Sequence, residues 1–227
     1  MTITPVPRLE PAGEDGSLAR TAALADAVQA LARYALQFGR IDRTACLHPD
    51  GGMRESDTDH TVMLRWIAPA LADRCCPDLP SGDVAAFALV HDAVEVFAGD
   101  TQPLRIDADG LAAKKAREAA AAGRWRAEFG GSLPWLPAMI GRYEAQHEPA
   151  ARFVRALDKI MPKLVHILNG CADLIAFGVT MDELDGLFCR QRADIATYAS
   201  EFRALMDLYD ETTVRVLEAL RAREGAA

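Results

Sequence analysis

Apolar residues recur at spacings of three and four along most of this chain, which is the period of an amphipathic α-helix. The alternation of apolar and polar residues that marks a half-buried strand is absent, and runs of β-branched residues are few. The pattern therefore predicts an all-α protein. The predicted helices cover residues 17–38, 56–76, 83–98, 109–129, 135–147, 150–169 and 181–223.

Glycine, proline and capping residues set the boundaries of these helices. Gly39 and Gly99 are placed to end the first and third helices. The Ser-Asp-Thr-Asp segment that begins at Ser56 resembles a capping box and predicts the start of the second helix. Two prolines lie inside predicted helices, and we expect a bend or a break at Pro69 and a kink at Pro162.

Two segments outside the helices are predicted to be irregular. Residues 1–16 contain three prolines and two glycines without an apolar period, which predicts a flexible N-terminal tail. Residues 40–55 are rich in Pro, Asp and Gly and predict a loop. No internal repeat or low-complexity linker follows residue 16, so we expect residues 17–227 to form a single helical domain.

Composition and charge exclude several classes of protein. Half of the 227 residues are apolar, which is enough for a substantial core. The formal net charge of −8 argues against a protein that coats nucleic acid, although a few arginines can still hold a small anion. The longest apolar run, residues 84–90, is too short to span a bilayer. The N-terminus resembles no secretion signal and the five cysteines form no CxxC pair, so we expect free thiols in the cytoplasm.

Polar residues interrupt the apolar faces of three predicted helices. His60 lies on the apolar face of the second helix, and His91 and Glu95 lie on that of the third, with Asp92 beside them. Asp158 lies on the apolar face of a later helix. A buried carboxylate is unfavourable by several kcal/mol unless it is paired or coordinated. We therefore predict that these helices converge on one divalent cation.

Each of these residues also has an ordinary explanation when it is taken alone. A single histidine on an apolar face is more often a hydrogen-bonded core residue than a ligand, and a single aspartate is more often solvated or paired with arginine. The combination of a histidine, an adjacent His–Asp pair and a later aspartate is uncommon by chance and favours a metal site. Two nitrogens and two oxygens suit Mn, Co, Fe, Ni or Zn better than Ca, and Mg stays among the candidates.

Three segments resemble those of a known family. The segments RESDTDH at 54–60, HDAVEVFAGD at 91–100 and YEAQHEPAARFVRALDK at 143–159 resemble motifs of the HD-domain metal-dependent phosphohydrolases, and most nearly those of the 5'-deoxynucleotidases. The likeness covers roughly residues 30–165. It implies a helical bundle of the HD type and a hydrolase that removes phosphate from nucleotides.

The resemblance also implies roles for individual residues. One divalent metal would be bound by His60, His91, Asp92 and Asp158. Glu95 would orient or deprotonate the attacking water and Asp100 would assist near the leaving sugar oxygen. Arg43 would hold the phosphate, with Arg54 and Lys159 as further basic candidates.

One departure from the family concerns the sugar. The 5'-deoxynucleotidases have an aromatic residue just after the arginine, whereas Thr44, Ala45 and Cys46 follow Arg43 here. We therefore expect ribose and deoxyribose nucleotides to be discriminated less strongly than the resemblance implies.

The leading hypothesis is a hydrolase that removes the 5'-phosphate of a (deoxy)nucleoside monophosphate. A second is a deoxynucleoside triphosphate triphosphohydrolase, an activity found in related HD proteins. A third is a non-catalytic helical scaffold, which would not need to retain a stoichiometric metal. The expected partner is a small-molecule nucleotide, and the family resemblance also suggests a homodimer.

Overall fold

The computed structural model describes residues 14–49, 52–102 and 104–224. Helices dominate it, which confirms the all-α prediction. The helices are α1 (Glu14–Phe38), α2 (Asp57–Cys75), α3 (Ser81–Val90), α4 (Glu95–Ala98), α5 (Ala108–Phe129), α6 (Trp135–Ala145), α7 (Pro149–Asp158), α8 (Met161–Leu168), α9 (Ala172–Ala176), α10 (Met181–Ala199) and α11 (Arg203–Glu224).

The segment 40–55 is not a simple loop, so that prediction is wrong in part. β1 (Asp42–Leu47) pairs with β2 (Arg54–Ser56) in a two-stranded antiparallel sheet. β1 also packs against α8 and α9. The strands were hidden in the sequence because they are short and flank turn residues, and because the helices that pack against β1 lie far along the chain.

The start of α2 confirms the predicted capping box. Ser56 Oγ accepts a hydrogen bond from the Asp59 backbone N–H, and the Asp59 carboxylate accepts one from the Ser56 backbone N–H at 3.0 Å. Pro69 does not interrupt the helix, which runs unbroken to Cys75. The cap fixes where α2 begins and thereby the face on which its later residues lie.

The third predicted helix, residues 83–98, is divided in two. α3 ends at Val90, and the chain then tightens before α4 begins at Glu95. The Ala93 N–H donates to the Val90 carbonyl at 3.0 Å, and the Glu95 N–H donates to the Asp92 carbonyl at 2.8 Å. These bonds span three residues instead of four, which is how the last turn of a helix tightens.

The predicted helix 150–169 is broken before Pro162 instead of kinked at it. α7 ends at Asp158 and α8 begins at Met161. A proline ring clashes with the carbonyl four residues earlier and cannot donate to it. Here that carbonyl belongs to Asp158, so the proline ends α7 at the residue expected to bind metal.

The last long segment, predicted to be helical over residues 181–223, is helical and consists of two helices. α10 ends at Ala199, and α11 begins at Arg203 and packs back against α10 and α8. Between them Phe202 is buried with its ring edge-on to Phe153, at 5.3 Å between ring centroids. No glycine or proline marks this break, at which Phe202 packs into the main core.

The apolar interior has two parts. The main core lies chiefly between α2, α3, α5, α6 and α7. A smaller core is formed by α9, α10 and the second half of α11. A cleft beside the smaller core is lined by residues of β1, α8 and α10.

Several expectations concern the ends of the chain and its surroundings. Residues 1–13 of the predicted tail lie outside the described residues, and residues 14–16 belong to α1. Across the described ranges, every helix is too short or too polar to cross a membrane. All five cysteines have free thiols. The cytoplasmic location and the homodimer stay predictions.

Candidate metal centre

Two histidines and two aspartates meet in the interior, where the sequence pattern places them. His60 lies in α2, His91 and Asp92 follow α3 directly, and Asp158 ends α7. One nitrogen or oxygen atom of each lies within 4.8 Å of the corresponding atoms of the other three. The structure thus brings together all four residues named as metal ligands.

One ring nitrogen of His91 is hydrogen-bonded to the backbone, and the other has no hydrogen-bond partner among the described residues. Its Nδ1 lies 3.0 Å from the Ala88 carbonyl oxygen, which can only accept, so Nδ1 carries the proton. In the neutral ring Nε2 then presents a lone pair, and it faces Asp92 Oδ2 at 2.9 Å and Asp158 Oδ1 at 3.7 Å. A buried lone pair opposite two carboxylate oxygens requires a cation between them, which is either a proton or a metal ion.

The spacing of the four donor atoms fits a single ion. His60 Nε2 lies 2.9 Å from Asp158 Oδ1 and 3.8 Å from Asp92 Oδ2, and the two distances from His91 Nε2 are similar. Ligands placed about 2.1 Å from one metal ion lie about 3.4 Å apart in a tetrahedral arrangement. The residues present therefore fit a divalent metal of borderline hardness.

The charges within the cluster keep its aspartates ionised. Burial alone would raise the pKa of Asp92, but the adjacent His91 lowers it below its usual range. Burial would likewise raise the pKa of Asp158, and Lys159 and His60 hold it well below its usual range. Burial opposes charge on His60, yet hydrogen bonding to Asp158 raises its pKa to about 9. The cluster therefore favours positive charge between its ligands.

Further carboxyl groups border the cluster. Asp57, Asp92 and Glu95 each place one oxygen within 4.8 Å of the others. Asp57 is fully buried, and neither of its oxygens, nor Glu95 Oε2, has a hydrogen-bond partner among the described residues. Burial, together with Asp92, raises the pKa of Asp57 to about 7 and that of Glu95 to about 10. Sequence reasoning missed Asp57 because it resembles an ordinary acid in the first turn of a helix.

Asp100 is fixed by the strand residue Thr44. The Thr44 backbone N–H and hydroxyl both donate to Asp100 Oδ2, at 2.9 and 2.7 Å. Gly99, with a φ of 71°, lets the chain turn out of α4 immediately before Asp100. Thr44, the residue directly after Arg43, thus orients a predicted catalytic residue.

Arg43 reaches the cluster from β1. Its Nη1 donates to Asp92 Oδ2 at 3.0 Å and lies 3.7 Å from Asp57 Oδ1, and its Nε lies 3.7 Å from Glu55 Oε2. Burial works to lower its pKa, but Asp92 and Asp158 outweigh burial and raise it. The guanidinium therefore keeps its charge, and within the described ranges its Nη2 makes no ion pair.

The other two basic candidates are placed differently. Lys159 Nζ lies 2.8 Å from Asp158 Oδ2, and Lys159 lines the cleft. Arg54 is exposed, lies over the Phe177 ring at 5.3 Å from its centroid, and is not among the residues that line the cleft. The structure thus brings Lys159 to the site and leaves Arg54 outside it.

A lysine that sequence reasoning missed also approaches the site. Lys114 Nζ lies 3.7 Å from Glu95 Oε1 and 2.8 Å from Glu118 Oε1. Lys114 lies in α5, which has many charged side chains, and the sequence does not indicate which of them faces the site.

The cleft joins the polar site to the smaller core. Arg43, Asp100 and Lys159 line its polar part. Apolar residues of α10, among them Leu184 and Phe188, line another part. The arrangement can hold an anionic group beside the cluster and an apolar group away from it.

Comparison with known proteins gives the family. A family model described as the HD domain matches residues 38–211, most of the chain, and this protein therefore belongs to the HD-domain family. No curated protein matches the chain.

Two solved structures are similar to this one. A predicted metal-dependent phosphohydrolase from Magnetospirillum magnetotacticum MS-1 is 28% identical, with a TM-score of 0.61 over 88% of this chain and 94% of that one. A conserved hypothetical protein from Pyrococcus furiosus is 20% identical, with a TM-score of 0.53 over 83% of this chain and 98% of that one. The second likeness concerns the fold alone.

Proposed function

We propose that this protein is a metal-dependent phosphohydrolase that removes the 5'-phosphate of a (deoxy)nucleoside monophosphate. The observation that carries the proposal is the convergence of His60, His91, Asp92 and Asp158, with Arg43 bonded to Asp92 at 3.0 Å. Family membership and the similar phosphohydrolase structure support the metal-dependent hydrolase class. That the substrate is a nucleotide with a single phosphate is proposed from the residues of the site and the cleft.

In this proposal the metal ligands are His60, His91, Asp92 and Asp158. A divalent ion bound there would polarise a phosphoryl oxygen and make water a nucleophile near neutral pH. The Nδ1 bond of His91 to the Ala88 carbonyl holds the ring in the tautomer that a ligand needs.

Glu95 handles the proton of the attacking water. It is buried, and its Oε2 has no hydrogen-bond partner among the described residues. Burial, together with Asp92, raises its pKa to about 10, so without a bound cation Glu95 holds a proton at neutral pH. A divalent ion bound beside Asp92 would lower that pKa and, with Lys114 at 3.7 Å, favour the ionised form. In that form a positioned carboxylate can accept a proton from water and pass it on.

Arg43 and Lys159 hold the phosphate in this account. Arg43 Nη1 is used by Asp92, which leaves Nη2 for a phosphate oxygen, and Lys159 adds a second positive charge in the same cleft. Asp100, held by Thr44, would lie near the leaving oxygen of the sugar.

The uncharged state of Lys163 supports a monophosphate, and not a triphosphate, as the substrate. This cleft residue is buried and has no acidic partner within 4.0 Å in the described part of the chain. Burial lowers its pKa to about 6, so it is mainly uncharged at neutral pH. Its amine instead contacts Thr213 Oγ1 and lies 3.0 Å from the centroid of the Tyr209 ring. In the ligand-free protein Lys163 therefore adds no fixed positive charge to the cleft for β- and γ-phosphates.

The proposal is tested by phosphate release from matched nucleoside mono- and triphosphates of both sugars, assayed with manganese or cobalt. We expect inorganic phosphate from monophosphates, at least tenfold faster than any product from triphosphates. Release of triphosphate as the main product would support the second hypothesis. Failure to retain a stoichiometric metal, with no hydrolysis of any nucleotide, would support the scaffold.

A further inference from the structure

The α10 face that lines the cleft, together with His166 of α8, has the chemistry of a site for a planar base. We propose that this surface binds the heteroaromatic base of the nucleotide, an inference that rests on the proposed function. The base-binding surface is defined as Leu184, Leu187, Phe188, Gln191 and His166. All five line the cleft that also contains Arg43 and Lys159.

The α10 residues of this surface form one stripe. Leu184, Leu187, Phe188 and Gln191 are spaced at three, four and seven residues from the first, so they lie on one face of the helix. The first three are apolar, and Phe188 adds a flat aromatic ring. Such a wall is favourable for a base and unfavourable for the hydroxyl groups of a simple sugar phosphate, which it cannot hydrogen-bond.

Gln191 supplies an oriented donor. The Tyr209 hydroxyl lies 3.2 Å from Gln191 Oε1 and 2.9 Å from the Phe188 carbonyl oxygen, so it donates towards both. With Oε1 occupied, the Nε2 amide group is left to donate, and in the described residues it has no hydrogen-bond acceptor. An acceptor on the edge of a base, such as a ring nitrogen or a carbonyl oxygen, would satisfy it.

His166 supplies an oriented acceptor. Its Nδ1 lies 2.8 Å from Asp173 Oδ2, and Asn169 Nδ2 donates to the same oxygen at 2.7 Å. Asp173 is fully buried, and His166 lowers its pKa against the effect of burial, so it stays ionised and accepts the Nδ1 proton. In the neutral ring, Nε2 is then the nitrogen that can accept from an exocyclic amine or ring N–H of a base.

A nucleoside monophosphate has the chemical groups that this cleft would hold. Its phosphate would lie with Arg43 and Lys159, and its base would lie against Phe188 between one donor and one acceptor. The base-binding surface belongs largely to α10, which lies outside the part of the chain that resembles the 5'-deoxynucleotidases. The 5'-deoxynucleotidases have an aromatic residue directly after the arginine, whereas this chain has Thr44 there. The base-binding surface would thus supply a contact to the nucleoside from another part of the chain.

The test compares kcat/KM for a nucleoside 5'-monophosphate with kcat/KM for ribose 5-phosphate, which has no base. In the wild-type protein we expect this ratio to exceed ten. Gln191→Leu should lower the ratio about three- to tenfold, the effect of one lost hydrogen bond, and mainly through KM. Leu187→Trp should lower it more, since the larger ring fills the cleft. Gln29→Leu, an identical change at an exposed site on α1, is the matched control.

The outcomes separate this inference from the function on which it rests. A wild-type ratio near one, or an unchanged ratio in both cleft variants, overturns the base-binding surface while nucleotide hydrolysis itself stands. No phosphate from any substrate in the metal-loaded protein overturns the proposed function and this inference together. Circular dichroism shows whether the variants keep their helical content.

Discussion

At the scale of single residues, the crowding of buried carboxyl groups governs how the protein responds to pH. Asp57 and Glu95 lie beside the ionised Asp92, and Arg43 and Lys114 only partly offset their charge. Without a bound cation, folding must therefore keep protons on carboxyl groups that would lose them in water. The crowded carboxyl groups therefore destabilise the metal-free protein, and a bound cation would relieve this.

Asp57→Asn should stabilise the metal-free protein at high pH. A carboxyl with a raised pKa binds its proton more tightly when folded, so its contribution to stability is lost as pH rises from about 4 through its folded value. For Asp57 that folded value is about 7. We expect the variant to be more stable than wild type at pH 8, by on the order of 2 kcal/mol, with little difference at pH 4.

Urea unfolding in a chelator at both pH values checks this prediction. Asp73→Asn, at an exposed position of α2, is the matched control. Identical stability differences at pH 4 and pH 8 would show that Asp57 carries no raised pKa.

Glu95→Gln should separate metal binding from catalysis. We expect turnover to fall on the order of a hundredfold or more, because a positioned acid–base group is lost. Metal content should stay at the wild-type value, with Glu218→Gln on the exposed face of α11 as the control. Elemental analysis that finds the metal gone would make Glu95 a ligand and refute its assigned role.

Arg43→Lys should weaken monophosphate binding by about tenfold, since an ammonium cannot reproduce the planar fork of a guanidinium. Metal content should be unchanged, because the positive charge beside Asp92 is kept. Arg40→Lys, an exposed neighbour outside β1, is the control. Unaltered binding in a calorimetric titration would move the phosphate site elsewhere, with Lys159 the next candidate.

Part of the site could be predicted from residues alone. His60, His91 and Asp158 break the apolar face of a helix, and that local conflict is visible in one sequence. Asp57 and Lys114 could not be recognised, because an acid in a first turn and a lysine on a charged helix look ordinary. Arg54 shows the reverse case, since a basic residue close in sequence to His60 lies outside the cleft.

Among the helices and strands, the starts of most helices can be predicted from local sequence. Several breaks within the predicted helices cannot, because they occur where distant segments pack together. The capping box at Ser56 is visible within four residues, whereas the break after α10 coincides with a contact between Phe202 and Phe153 of the distant helix α7. The strand β1 depends on β2 and on contacts with α8 and α9. Such contacts between distant segments leave no periodic pattern.

Ser56→Ala should destabilise the protein by about 1 kcal/mol, the usual effect of losing a side-chain cap. The change removes the acceptor for the Asp59 backbone N–H and one donor to the Asp59 carboxylate. Urea unfolding measures the loss, and Ser17→Ala on the exposed face of α1 is the control. Equal midpoints for the two variants would mean that the cap contributes nothing.

At the scale of the whole molecule, the metal ligands come from helices of the main core, and the cleft extends from them to the smaller core. The helical class and the convergence of His60, the His91–Asp92 pair and Asp158 follow from periodicity. The cleft does not, because it forms where β1, α8 and α10, which are far apart in the sequence, come together. Substrate selection is therefore the property least accessible from the sequence.

We propose that His60, His91, Asp92 and Asp158 bind one divalent metal ion. Elemental analysis of the purified protein and of Asp92→Ala measures this binding, with Asp73→Ala on the surface of α2 as the control. We expect about one equivalent of a transition metal in wild type and in the control. In Asp92→Ala we expect less than about a tenth of that, with phosphate release lost and the helical circular dichroism signal retained. A full equivalent of metal in Asp92→Ala, or an active protein without metal, would contradict the claim.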